Sequence, residues 1–544
     1  MGRPSSLRLT IKALRCLSFD AGGKMRTLVV TGRIAEEAVR AQVKGLKDVD
    51  VMALPVSVAS FLTPKLAAEL LKQVDLKGYS MIILPGTVEG DVSLVEQVTG
   101  IPTFKGPLHF VDLPDVFESG VKLSKTTPAS EMLKEVIENR ALSEINAAEA
   151  NWRNILAESG GIVVGKGKSI LPVSDGLPMR VIAELVNAPT MSIDDVVRRV
   201  RYYETQGATV IDIGMMAGQP QPEAISPIAE AIRETVDLPV SIDTLDINEI
   251  IAAVEADVDL ILSIDRGNMD DVAPHITDQA VVVLPTNMKN GWIPRKASER
   301  VEALEQNITH AKELGLKKLI GDLIVEPLVW PGLLEGLRSY RDFKSKHPEI
   351  PLLFGIGNAT ELIDADSTGV NAALTALARE AGACMLHVPE HSVKAKGSVR
   401  DVVQASRMVY LAERRKTAPK DIGLDLLLLK EKRWKELDYD SSVEVSTKLV
   451  RGIGDTDFSP DRSGWFKIHV DREKGEIVAV HYPSQMDKPG AVIKGRIPME
   501  VYQTIVRLNL VSKLEHAAYL GRELEKAYTA LKTGRSYQQD EDLF

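Results

Sequence analysis

At 544 residues, with 44% hydrophobic and 26% charged side chains, the chain has the composition of a soluble globular protein too long for one ordinary core. Its 66 basic residues against 76 acidic ones leave a net charge of −10, which argues against a general nucleic-acid binder or a membrane-surface protein. Two cysteines, Cys16 and Cys384, leave no material for a disulfide framework or a cysteine-rich zinc site, and no apolar run reaches spanning length, so a reducing cytoplasm is the expected setting.

Residues 1–24 are basic, with Arg3, Arg8, Lys12, Arg15 and Lys24 against Asp20 alone, and read as a disordered leader without a signal-peptide core. Residues 25–155 alternate β-rich runs, "TLVVTG" (27–32), "VDVMALP" (49–55) and "SMIILPG" (80–86), with helical patterns near 33–44 and 64–74. This alternation predicts a small open parallel α/β domain. "TGRIAEE" has neither a GxGxxG nor a GxxxxGK spacing, so a nucleotide site has little support there.

Over 160–414 the alternation becomes long and regular. Strands are expected at 180–187, 208–214, 238–243, 258–264, 280–286, 317–325, 351–357 and 383–389, each followed by an amphipathic helix. Eight such units in about 250 residues predict a (β/α)8 TIM barrel, since a doubly wound sheet seldom sustains eight consecutive units of this spacing. "GGIVVGKG" (160–167) is expected to cover the barrel bottom. Ser192, Ser298 and Ser398 stand at plausible helix N-caps. Residues 415–464 read as a linker region with a helix in "LLLLKEKRWKELDYDSS", and 465–544 as a small α+β domain with a hairpin over 465–483, turning at Glu-Lys-Gly, and helical periodicity over 499–532.

In such barrels chemistry sits at the carboxyl ends of the strands. Asn187, Asp212, Asp243, Asn287, Glu326, Asn358 and His387 all fall at or just past a strand end. A ring of carboxylates and amides suits a flat heterocycle rich in N–H donors and ring-nitrogen acceptors. A metal cage is less expected: His387 and His391 are four apart but straddle Pro389, off any helical face.

"NAPTMS" (187–192), "GATVIDIG" (207–214) and "LPVSIDT" (238–244) resemble, in order and spacing, the first three strand motifs of dihydropteroate synthases. Those belong to the wider pterin-binding TIM-barrel family, with the methyltetrahydrofolate–corrinoid methyltransferases. The resemblance runs over roughly 178–412, and the whole chain resembles the archaeal-type dihydropteroate synthase-related proteins associated with tetrahydromethanopterin and one-carbon metabolism. It implies that Asp243 hydrogen-bonds a pterin ring and that Asn187 sits near a diphosphate and its Mg2+. Glu326 takes the second pterin carboxylate, with Asp322 the alternative if the strand is shifted by four. Asp212, Asn358 and His387 complete the implied pterin set.

The resemblance has departures. His387 replaces the arginine of the family's Arg-Val-His, "GIGNATE" (355–361) replaces Ser-Arg-Lys, and Ala217 to Pro220 replace Ser-Thr-Arg-Pro. Substitute phosphate-binding residues are sought in Arg266, Lys289, Arg295, Lys394 and Lys396, with Gly397 and Ser398 opening the eighth helix. The leading expectation is a synthase-type transferase joining a 7,8-dihydropterin-6-ylmethyl diphosphate to an arylamine, 4-aminobenzoate or its ribofuranosyl phosphate relative. The alternatives are pterin-dependent methyl transfer with a corrinoid protein, favoured by Asn358, and a non-catalytic pterin-binding protein. A homo-oligomer without nucleic-acid or membrane partners is expected.

Overall fold

The computed structural model describes residues 26–544 apart from 109, 421, 432–438, 440–443, 445–446, 453, 455–458 and 485 and the side chain at 111. The expected leader lies outside the described residues, as does most of the helix expected within 426–442, of which 426–431 is irregular. The chain forms two compact units, the first running to residue 150 and taking in 411–424, the second covering 151–410, 425–432 and 439–544.

In the first unit, the strands Arg26–Thr31, Val49–Ala53, Tyr79–Leu84 and Thr103–Lys105 pair in parallel, in the order second, first, third, fourth. The fourth is too short to have stood out in the sequence. A crevice of about 190 Å³ opens at the carboxyl ends of the first and third strands, lined by residues such as Val30, Ile34, Leu84 and Phe110 and by no charged side chain. Its loop amides are already used: Arg33 N–H donates to Val56 O at 2.9 Å and Gly86 N–H to Pro107 O at 3.0 Å. Among the described residues no cation lines the crevice to hold a phosphate.

The second unit holds the barrel. Its strands, numbered here 1 to 8, are Arg180–Leu185, Val210–Gly214, Val240–Asp243, Leu260–Ile264, Ala280–Val283, Leu319–Gly321, Leu353–Gly355 and Met385–Pro389. All are parallel, and the sheet runs unbroken from strand 6 back to strand 1 and on through 8 to 7. A parallel bridge between Gly321 and Leu352 joins strands 6 and 7 and closes the ring. Apolar β-branched residues fill the strands because both faces are covered, one by the barrel interior and one by the surrounding helices. At the amino end, Ile162–Val164 and Leu171–Val173 form an antiparallel hairpin. Its Val164, Leu171 and Val173 pack with Ile182, Val210, Leu260, Ala280 and Ile320, sealing the barrel bottom as the sequence suggested.

Beyond the barrel, Trp465–Asp471, Glu476–Tyr482 and Ala491–Gly495 form an antiparallel sheet, covered by the helices Pro498–Arg507 and Leu514–Thr533. The hairpin falls where its alternation predicted. The helical stretch is broken at Leu508–Lys513, and the third strand was not foreseen. Among the described residues no helix is long and apolar enough to cross a membrane.

Candidate functional site

Strand register assembles the mouth. Glu184 of strand 1 lies level with Asp212 of strand 2, and Asp212 level with Ser241 of strand 3. Asp212 is fully buried and accepts the Ser241 hydroxyl at 2.5 Å. His387, from strand 8, brings its Nε2 to 3.5 Å from Asp212 Oδ2 and 3.7 Å from Glu184 Oε2. A side chain at Gly214 would overlap the Glu184 carboxylate, so this glycine leaves the acid its room.

Asp243 ends strand 3 and accepts the Ser263 hydroxyl at 2.6 Å. Ser263 sits inside strand 4 at φ +66°, where the register with strand 5 shifts. Left-handed backbone in a non-glycine residue costs about 1–3 kcal/mol, and here it coincides with a hydrogen bond aimed at the mouth. After strand 6, Asp322 accepts the Ile324 N–H at 2.7 Å and the Tyr340 hydroxyl at 2.5 Å. Ile324 is also left-handed, at φ +67°, and is held by Arg300 Nη1 on its carbonyl at 2.8 Å.

Packing carboxylates into a closed mouth alters their proton affinity. Burial raises the Glu184 carboxyl to about 7, with Asp212 and Asp243 adding to the rise and His387 opposing it. Burial, then Asp212, raises Asp243, against His387 and the Ser263 hydroxyl. Asp322 is raised by burial and lowered in part by Tyr340 and the Ile324 amide. For His387, burial would depress the imidazole, but the Asp212 hydrogen bond and the charges of Glu184, Asp212 and Asp243 lift it to about 10. The imidazole of His387 is thus raised among acids whose own carboxyls are raised, Glu184 to about 7.

The expected pterin residues separate into two groups. Asp212, Asp243 and His387 converge. Glu326 is turned to Arg300, which is fully buried, and to Arg295 at 3.1 Å, and so acts as counterion within the loop after strand 6. Asp322, directly after the strand, is the acid that faces Asp243 and His387 electrostatically. Asn358 donates to Val325 O at 2.9 Å, tying the loops after strands 6 and 7 together. Glu184 was missed, although one acid in the apolar run "RVIAEL" was a readable signal. Asn287 stood out in the sequence only as a strand end; its Oδ1 is buried with no hydrogen-bond partner among the described residues.

The phosphate candidates are largely engaged elsewhere. Arg266 pairs with Asp270 at 2.7 Å, Lys289 lies 3.7 Å from Asp271, and Lys394 pairs with Asp364 at 2.7 Å. Ser398 is buried and accepts the Asn371 side-chain amide at 2.9 Å. The start of the eighth helix, expected to offer backbone amides to a phosphate, is taken by the chain's own Glu390, which accepts the Val399 N–H at 3.0 Å and the Tyr202 hydroxyl at 3.1 Å. An internal carboxylate stands where barrels often bind phosphate, which is why this expectation fails. Lys396 is exposed and, among the described residues, pairs with no carboxylate.

Asn187 takes a left-handed conformation at φ +53°, and its carbonyl accepts the Thr190 amide at 2.9 Å. Among the described residues no three His, Cys, Asp or Glu side chains are grouped to hold a metal ion. One neutral amide is no resident Mg2+ site, because Mg2+ asks for a near-octahedral set of oxygens.

Residues 187–389 match the family model for "Pterin binding enzyme", and 460–540 match a second model, PterinBD-DUF4346. The uncharacterised protein MJ0107 of Methanocaldococcus jannaschii is 38% identical over 533 residues, covering 96% of this chain and 99% of that protein. A Ycf91-like protein of Nostoc is 32% identical over 126 residues, 19% of this chain and 99% of its own length. Solved structures of dihydropteroate synthases from Yersinia pestis, with a pterine-sulfa conjugate, and Xanthomonas albilineans, with 7,8-dihydropteroate, are 19% and 23% identical. They cover 47% and 45% of this chain and 100% and 98% of their own, at TM-scores of 0.37 and 0.34, too low to argue from. The chain belongs to the family of the Methanocaldococcus jannaschii protein, and its residues 187–389 carry the match to the pterin-binding enzyme model.

Proposed function

We propose that the chain is a transferase of the dihydropteroate synthase type, acting on a dihydropterin bound in the barrel mouth. The observation that carries this reading is the convergence of Glu184, Asp212, Asp243 and Asp322 around His387. Carboxylates accept the N–H groups of a pterin's pyrimidine edge. Their negative charge also favours positive charge building on the pterin as a leaving group departs.

In this reaction the arylamine nitrogen bonds to the pterin's exocyclic methylene while the carbon–oxygen bond to diphosphate breaks. The diphosphate leaves with the electron pair, and the new ammonium gives up a proton. Glu184, raised to about 7, is suited to receive it at neutral pH. No step is assigned to a metal. The arylamine is 4-aminobenzoate or its ribofuranosyl phosphate relative, the latter placing the chain in tetrahydromethanopterin biosynthesis, and the working protein is a homo-oligomer.

Methyl transfer from a methylated pterin to a corrinoid protein is the second reading. It is favoured by the ion pairs that occupy Arg266, Lys289, Arg295 and Lys394, which leave little charge for a diphosphate. Mass spectrometry of protein with Mg2+, 7,8-dihydropterin-6-ylmethyl diphosphate and either amine tests the choice. A condensed pterin–arylamine product is expected. Pterin binding without product from either amine sinks the synthase reading.

A further inference from the structure

We propose a second ligand site outside the barrel mouth: a cationic cleft that binds a small organic phosphate with an apolar body. The cleft has a volume of about 1000 Å³ and lies within the second unit, between the loop entering the eighth barrel helix and the C-terminal sheet domain. Lys396 and Arg400 line it from the barrel, and Arg472, Arg496, Lys532 and Arg535 from the C-terminal domain.

Two of these cations have structural work. Arg400 pairs with the buried Asp401 at 2.8 Å, and Arg472 donates to the carbonyls of Ala530 and Arg535 at the end of the last helix. The other four, Lys396, Arg496, Lys532 and Arg535, are exposed. Among the described residues none of them pairs with a carboxylate. Lys532 instead lies 5.2 Å from the Tyr528 ring centre and Arg535 4.8 Å from that of Phe544. Among the described residues Asp366 is the single acid on the lining.

A chain with a net charge of −10 has acids to spare, yet brings almost none here. Like charges in a concave surface focus a positive potential, which an anion relieves and which draws anions in from solution. Arginine forks and a lysine suit phosphate oxygens. The cleft also carries apolar surface: Leu427, Leu429 and Ile497 are 49%, 58% and 36% exposed along it. Bare phosphate would leave that surface wet, whereas a phosphate ester with a ring or short chain would cover it.

The cleft is a separate surface from the mouth: none of the mouth carboxylates lines it, and of the phosphate candidates nominated from the sequence it shares only Lys394, Lys396 and Gly397. Isothermal titration of the full chain with phenyl phosphate and with inorganic phosphate, at low and high salt, tests it. Tighter binding of phenyl phosphate, weakened by salt, is expected. The double variant Arg496→Gln/Arg535→Gln should lower that affinity about tenfold or more, while D243N leaves it unchanged. K396Q alone should weaken it less, and serves if the double variant does not fold. Equal binding by all variants, loss in D243N instead, or binding to an RNA oligomer but not to phenyl phosphate overturns the proposal.

Discussion

The two ends of the barrel are built by the same strands and have opposite chemistry. At the amino end, Ile182, Val210, Leu260 and Ala280 pack under a hairpin that shuts out water. A few residues along those strands or their neighbours stand Glu184, Asp212 and Asp243, with His387 between them. One end is apolar and closed, the other acidic and strained at Ser263 and Ile324. The difference teaches that stability and binding are divided along the strand axis, so substitutions at the two ends should have separable effects.

The largest expected stability effect is at Arg300, which holds the loop carrying Asp322 and pairs with Glu326. Arg300→Ala leaves that carboxylate buried without its main partner and should cost about 3–5 kcal/mol, read by urea denaturation. At the closed end, Leu260→Ala should cost about 2–5 kcal/mol with an unchanged dihydropterin Kd. A Kd shift equal to that of a mouth variant would break the comparison. Asp243→Asn reverses the pattern: about 1.5–3 kcal/mol of pterin binding lost, or 10–150-fold by calorimetry, with the fold intact by circular dichroism.

The mouth should also govern the pH dependence of stability. Glu184, raised from 4.5 to about 7, keeps its proton in the folded chain after the unfolded chain has released it. Its contribution is therefore complete below pH 4.5 and declines as pH rises to 7. His387 is raised from 6.5 to about 10, so its contribution is complete below 6.5 and lost as pH rises through 10. Glu184→Gln should flatten the first decline and, by removing one of the charges that lift His387, move the second to lower pH, in chemical denaturation followed across pH. The smallest effect is expected from Ser263→Ala, about 1 kcal/mol from the lost hydrogen bond to Asp243, in the same measurement.

Most of the barrel was legible because a strand covered on both faces must be apolar over its whole length, so 180–187, 238–243 and 383–389 announced themselves. Asp212, Asp243 and His387 were picked out because a polar residue toward the carboxyl end of an apolar run needs a purpose. Glu184, one residue short of the end of its strand and level with Asp212, meets the same rule and was passed over. The choice between Asp322 and Glu326 turned on Arg300, more than twenty residues away in sequence and adjacent only after folding.

By itself, then, the sequence determined the order of strands and helices in the barrel and a resemblance carried by three motifs and running over roughly 178–412. Periodicity and strand termini are local properties, set by neighbours along the chain. Only the tertiary structure decided that Glu184 meets His387, that Glu390 fills the start of the eighth helix, and that cations from the C-terminal domain face Lys396 across a cleft. Proton affinity, ion pairing and cavity shape depend on distances between groups far apart in sequence, and those are fixed only when the chain closes on itself.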